Sequence, residues 1–152
     1  MKKQSKIKVA IVAARFNEHI TKKLVKGAES EFIKFGVKKE NINIVWVPGS
    51  WEIPLAVKRA IKIKRYDGIV CVGVIIKGET EHDRHIADSC VREISKMMVK
   101  YEIPIGNCIL ACKTEGDALQ RAGGKEGNRG CQAAHAVFSM LSSPLMGEVR
   151  RG

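Results

Sequence analysis

Lys8–Ala14 (KVAIVAA), Ile42–Val47 (INIVWV), Gly68–Ile76 (GIVCVGVII) and Asn107–Cys112 (NCILAC) are short, almost unbroken apolar runs. A strand with one wet face alternates apolar and polar residues. These runs do not, which suits parallel strands buried on both faces. Helical spacing fills the intervals. Ile20, Leu24, Ala28 and Phe32 recur every fourth residue. Ala87, Cys90, Val91, Ile94, Met97 and Met98 form a second stripe, and Ala134, Val137, Phe138 and Leu141 a third. The Met pair reads as core filler. Strand–helix alternation predicts βαβ units, with helices on both faces of a parallel sheet.

At 152 residues the chain is long enough for one domain with a real core. No repeat or linker divides it, so residues 1–152 read as one unit, with a flexible arm (1–6) and tail (142–152). Hydrophobic residues make up 45% and charged residues 28%, a composition that argues against disorder. No apolar run is long enough to span a bilayer and no signal peptide is recognisable, so a cytoplasmic protein is expected. Five cysteines without a C-x-x-C pair argue against a disulfide framework or a zinc ribbon. Cys108 and Cys112 share strand parity and are expected on one core face.

Charge is uneven. Residues 1–65 carry 16 basic and 5 acidic side chains, whereas residues 66–152 carry 11 of each, so the whole net charge of +11 lies in the first part. That asymmetry raises a nucleic-acid-binding module as one function class. The competing reading is a solvated surface. Lys58, Arg59, Lys62, Lys64 and Arg65 are expected on the second helix, and Lys2, Lys3, Lys6 and Lys8 on the N-terminal arm.

Ligands of open α/β sheets bind beyond the carboxyl ends of the strands. Four unusual segments fall there: Arg15–Asn17, Pro48–Glu52, Lys77–His82 and Lys113–Asp117. Phe16 and Trp51 are open to a site or a core role. Thr80 and Asp83 fit a capping box, whose amides and helix dipole would make an anion site. His82 lies in that first turn, where an imidazole can exchange protons near neutrality. His82 and His85, with Glu81 or Asp83, are weak candidate metal ligands, and no metal is expected. Arg121–Gly130 (RAGGKEGNRG) is not a P-loop. It suits a phosphate or a tight break between helices.

R-F-N at 15–17, V-P-G-S-W-E-I-P at 47–54, I-K-G-E-T-x-H at 76–82 and R-A-G-G-K-x-G-N-R-G at 121–130 together resemble the 6,7-dimethyl-8-ribityllumazine synthase family of riboflavin synthesis. The resemblance covers about residues 7–141. It implies a flavodoxin-like three-layer α/β sandwich around a four-stranded parallel sheet. It also implies condensation of 5-amino-6-(D-ribitylamino)uracil with 3,4-dihydroxy-2-butanone 4-phosphate, releasing phosphate and water without a cofactor. Phe16 would stack on the pyrimidine. Ser50, Trp51 and Glu52 would hold the ribityl chain, and the backbone of Val74, Ile75 and Ile76 would read the pyrimidine edge. Glu79 and Thr80 would present amides to phosphate, His82 would transfer protons, and Arg121 would bind phosphate from a neighbouring subunit. The implied assembly is a homopentamer or a sixty-subunit shell, with riboflavin synthase as a further possible partner.

The match has departures. Asp83 and Arg84 stand where many members have an aromatic and then an acid. Asn107 replaces a ring-facing Phe. Arg129 stands where Lys is common, and Gln132 where a carboxylate is usual. An inactive shell-forming homologue is therefore a third class beside the synthase and the nucleic-acid module.

Overall fold

The computed structural model describes residues 3–78 and 82–143. Four parallel strands, β1 (Val9–Ala14), β2 (Ile42–Val47), β3 (Gly68–Ile76) and β4 (Ile105–Cys112), form one sheet in the order β2-β1-β3-β4. Helices α1 (Glu18–Lys34), α2 (Ile53–Lys62) and α3 (Asp83–Tyr101) lie in turn between them. After β4 come the short α4 (Glu115–Gln120), a small hairpin of β5 (Ala122–Gly124) and β6 (Gly127–Asn128), and α5 (Arg129–Ser142).

The sheet separates two cores. On one face Ile20, Leu24 and Phe32 of α1 and Val137 and Leu141 of α5 pack on alternate strand residues such as Ile11, Val70 and Val72. On the other, Ile53 and Val57 of α2 and Cys90, Ile94 and Met97 of α3 cover Val12, Ile69 and Cys71. This is the expected three-layer α/β sandwich. Every residue of the central strand β1 is buried, because helices cover both its faces. Cys108 and Cys112 share the α1/α5 core, as their parity requires.

Three expectations need correction. Only Cys90, Ile94 and Met97 of the α3 stripe are buried, whereas Val91 and Met98 are exposed. One helix packed on a sheet buries a narrower stripe than the apolar residues supply. Helix α2 ends at Lys62, so Lys64, at a φ of 50°, and Arg65 lie past it. The 121–130 segment forms a hairpin and the start of α5, not a simple break between helices.

Gln4–Lys6 form a 3₁₀ turn ahead of the buried Ile7, and Asn41 donates to the Ser5 carbonyl at 3.0 Å. The rest of the expected arm and tail, residues 1–2 and 144–152, lies outside the described residues. Among the described residues no helix is long and apolar enough to cross a membrane.

Candidate active site

All four strands run the same way, so their carboxyl ends share one rim. Strand β1 sits between β2 and β3, and the chain passes from one side of it to the other, which makes β1/β3 the switch point of the sheet. Pairing fails there. The β1–β3 register ends at Ala13↔Val72, while Arg15 N–H donates to the Val47 carbonyl and Phe16 N–H to that of Pro48. The chain thus leans toward β2 and leaves the end of β3 without a β1 partner. The resulting crevice, about 190 Å³, is lined by Phe16, Ser50, Trp51 and Val74–Ile76, with Gly49, Asp83 and Ile86 completing it. Phe16 is 56% and Trp51 61% exposed, so both present aromatic surface at the rim and neither is a core residue.

Local bonds fix this crevice. Asn17, in the left-handed region at a φ of 62°, donates from Nδ2 to the Val74 carbonyl at 2.9 Å. That bond ties the Phe16 turn to β3. Hydrogen-bonding direction alternates along a strand. Val74 therefore faces β1, as does Ile76 by parity, whereas Lys77 donates to Cys112 of β4. Ile75 shares the Lys77 direction, so its backbone turns toward β4, and of the three β3 residues Val74 and Ile76 direct their backbone groups to the β1 side.

Ser50 is 7% exposed and sits directly over Gly73: a Cβ built there would lie 2.4 Å from Ser50 Oγ. Cys90 Sγ donates to the Ser50 carbonyl at 3.0 Å from the other side. Gly73→Ala is expected to push the 50–52 turn off β3, at about 1–3 kcal/mol of stability. Urea melts monitored beside turnover check this, and an unchanged midpoint would refute it. Glu52 is half-buried and lines an adjoining cleft with Val47, Leu55 and Arg59. Its Oε1 would still lie 3.4 Å from a Cβ on Gly49, so the carboxylate borders the crevice.

Glu79, Thr80 and Glu81 lie outside the described residues, and with them the Thr80 half of the capping box. Asp83 is the first residue of α3 and not its third, so it does not close the expected capping box with Thr80; its carboxylate reaches back to Gly78 instead. His82 stands at the N-cap of that helix, exposed, with its ring centroid 6.3 Å from that of His85. Among the described residues no group of three or more His, Cys, Asp or Glu side chains gathers into a metal-binding set.

Asp83 Oδ2 accepts from Gly78 N–H at 2.7 Å, and Oδ1 from Arg84 N–H at 2.6 Å. These amides, Gly78 first, hold its carboxyl below the usual range. A depressed carboxylate contributes stability above its unfolded pKa and loses it as pH falls through the lowered folded value. Asp83→Asn should therefore lower the thermal midpoint at neutral pH, and the gap should close in strong acid. A gap independent of pH in a melting series would contradict this.

A second and larger cleft, about 600 Å³, runs along the free edge of β4 and is lined by Asn107, Cys112, Asp117, Arg121, Arg129 and Gln132 among others. It shares no lining residue with the Phe16 crevice. The structure thus brings Phe16, Ser50, Trp51 and Val74–Ile76 together, and places Asn107 and Arg121 elsewhere on the same chain. Asn107 Oδ1 accepts from Ile109 N–H at 3.0 Å, which caps an amide on an open sheet edge. Arg129 donates to Gln132 Oε1 at 3.3 Å, a hydrogen bond to an uncharged amide where a carboxylate would form an ion pair. Arg121 donates from Nη1 to the Asp117 carbonyl at 2.9 Å, and its Nε lies 3.2 Å from Glu126 Oε2. Sequence reasoning missed these two partners, and it missed the Asn17 tie to Val74. No periodicity signals such contacts.

The cysteines offer no nucleophile to this rim. All five are free thiols. Burial pushes Cys90 up to about 11 and Cys108 to about 12, and raises Cys71, Cys112 and Cys131 as well.

Comparison with known proteins agrees with the motifs. The family model described as 6,7-dimethyl-8-ribityllumazine synthase matches residues 6–144. A protein of that name from Nautilia profundicola is 42% identical over 135 residues, 89% of this chain and 88% of the relative. One from Campylobacter jejuni subsp. jejuni is 40% identical over 138 residues, covering 91% and 90%. One from Leuconostoc mesenteroides is 37% identical over 139 residues, covering 91% and 89%.

Proposed function

The chain belongs to the 6,7-dimethyl-8-ribityllumazine synthase family, and from that premise we propose how its two clefts carry out the family's condensation. The enzyme joins 5-amino-6-(D-ribitylamino)uracil to 3,4-dihydroxy-2-butanone 4-phosphate, giving 6,7-dimethyl-8-ribityllumazine, phosphate and water. Membership favours neither a nucleic-acid module nor an inactive homologue.

The substrate's aryl amine attacks the ketone, and water leaves as the imine forms. Phosphate is then eliminated, and the ribityl-bearing nitrogen closes the ring with loss of a second water. The nucleophile belongs to the substrate, so the protein's task is to hold two molecules in register, disperse the leaving charge and move protons. Phe16 offers a face for the pyrimidine, and Val74 and Ile76 offer backbone groups to its edge. Ser50, Trp51 and Glu52 border the place for the ribityl chain. Glu79 and Thr80 would present amides to phosphate, and His82 serves as the proton carrier.

Arg121 neutralises the phosphate, but from the second cleft. The observation that supports a shared site is the separation of the two clefts within one chain. A homopentamer would bring the Asn107–Arg121 cleft of one subunit to the Phe16 crevice of the next. Mixing the purified protein with both substrates tests the function: lumazine absorbance and fluorescence should rise well above the spontaneous background. A rate equal to that background would reject it. Light scattering tests the assembly, and a monomer would contradict a shared site.

A further inference from the structure

Arg121 ends α4 and opens the β5–β6 hairpin, and that hairpin folds back onto it. Gln120 holds the turn twice: its side-chain Oε1 accepts from Lys125 N–H at 2.9 Å, and its carbonyl accepts from Glu126 N–H at 3.0 Å. Arg129 N–H donates to the Arg121 carbonyl at 2.9 Å and closes the loop from the other end. Three backbone amides thus fix where the Glu126 side chain starts, and its carboxylate meets Arg121 Nε at 3.2 Å. The guanidinium is held by Glu126 at Nε and by the Asp117 carbonyl at Nη1, and it also bonds the Cys112 thiol. Arg121 lines the 600 Å³ cleft, whereas Glu126 is absent from that lining. The carboxylate therefore stands behind the guanidinium and does not occupy the place an anion would take.

We propose that Glu126 is a positioning residue for Arg121, holding the guanidinium so that its remaining N–H donors face the phosphate-bearing substrate. This rests on the reading of Arg121 as the phosphate ligand. A planar fork gains from such orientation because fewer rotamers are lost when the anion binds. The carboxylate also subtracts positive charge, so a purely competitive role would have the opposite sign.

Glu126→Ala and Glu126→Gln separate the two, with kcat and KM measured for each substrate and inorganic phosphate used as an inhibitor. Glu126→Ala should raise KM for the butanone phosphate and Ki for inorganic phosphate by about fivefold, near the upper end for a solvent-accessible pair. kcat and KM for the pyrimidine should stay within about twofold. Glu126→Gln, whose amide oxygen still accepts from Nε, should restore most of the affinity. Tighter phosphate binding in both variants, or no change in Glu126→Ala, would overturn the proposal, and so would failure of Gln to rescue while the thermal midpoint is unchanged. Arg121→Ala, run in parallel, keeps the two readings apart: an unaltered phosphate Ki there would reject Arg121 as the ligand, whatever Glu126 does.

Discussion

Arg121→Ala is expected to lower kcat/KM for the phosphate-bearing substrate by about a hundredfold, with most of the loss in KM. A charge-assisted contact to an anion contributes about 1.5–3 kcal/mol, and removing it costs roughly ten- to a hundredfold in affinity. The upper end is appropriate because truncation also removes the cation that balances the Glu126 carboxylate, which lies 3.2 Å from the guanidinium Nε. Repulsion between that carboxylate and the substrate then adds to the lost attraction. Arg121→Lys should recover only part of the loss, because a point charge cannot reproduce a fork held at two edges. Steady-state kinetics with each substrate varied in turn decide the matter. An unchanged KM for the phosphate substrate would remove Arg121 from the site.

His82→Ala is expected to lower kcat by about a hundredfold while both KM values stay within about twofold. That is the low end for a general acid–base group, appropriate to a condensation that also proceeds without a catalyst. His82 stands at the N-cap of α3 and is exposed. Its side chain is not part of the packed core, so the variant should fold. Calorimetry of substrate binding to the variant separates a chemical defect from a binding one. Wild-type kcat in the purified variant would show that another group carries the proton.

The strands were legible because physics leaves few alternatives for them. Val9–Ala14 and Gly68–Ile76 are apolar on both faces, and only a strand covered by helices on both sides uses such a run. Helix α1 was equally plain, since Ile20, Leu24, Ala28 and Phe32 are all wholly buried. The hairpin at 122–128 was not legible. It is built from glycines and charges held by Gln120 and Asn128, with no hydrophobic period to reveal it. The start of β4 was read late, at Asn107 and not at Ile105, because polar Asn107 and its flanking Gly106 broke the apolar run on an edge strand.

The site divides in the same way. The strand-end rule located Phe16, Trp51 and the end of β3, because topology fixes which residues reach that rim. It did not show that Ile75 turns its backbone away or that Ser50 is buried over Gly73. Those depend on parity and close approach, which appear only once the sheet is assembled. The excess charge of the basic first part does not lie with the arginine proposed for the phosphate. Lys58, Arg59 and Lys62 lie on α2, Lys64 and Arg65 beyond it, while Arg121 comes from the part of the chain with no net charge.

The early end of the β1–β3 register has one more consequence. Past Val72 the two middle strands part, while β3 stays paired with β4 as far as Ile76, and the Asn17 amide reaches across to the Val74 carbonyl. On the proposed reading, a flat heterocycle with donors and acceptors along one edge would fill that gap much as another strand does. The substrate would then act as a rung of the sheet between strands that the polypeptide leaves parted. On that reading the backbone left open at the top of β3 is the same backbone that reads the substrate.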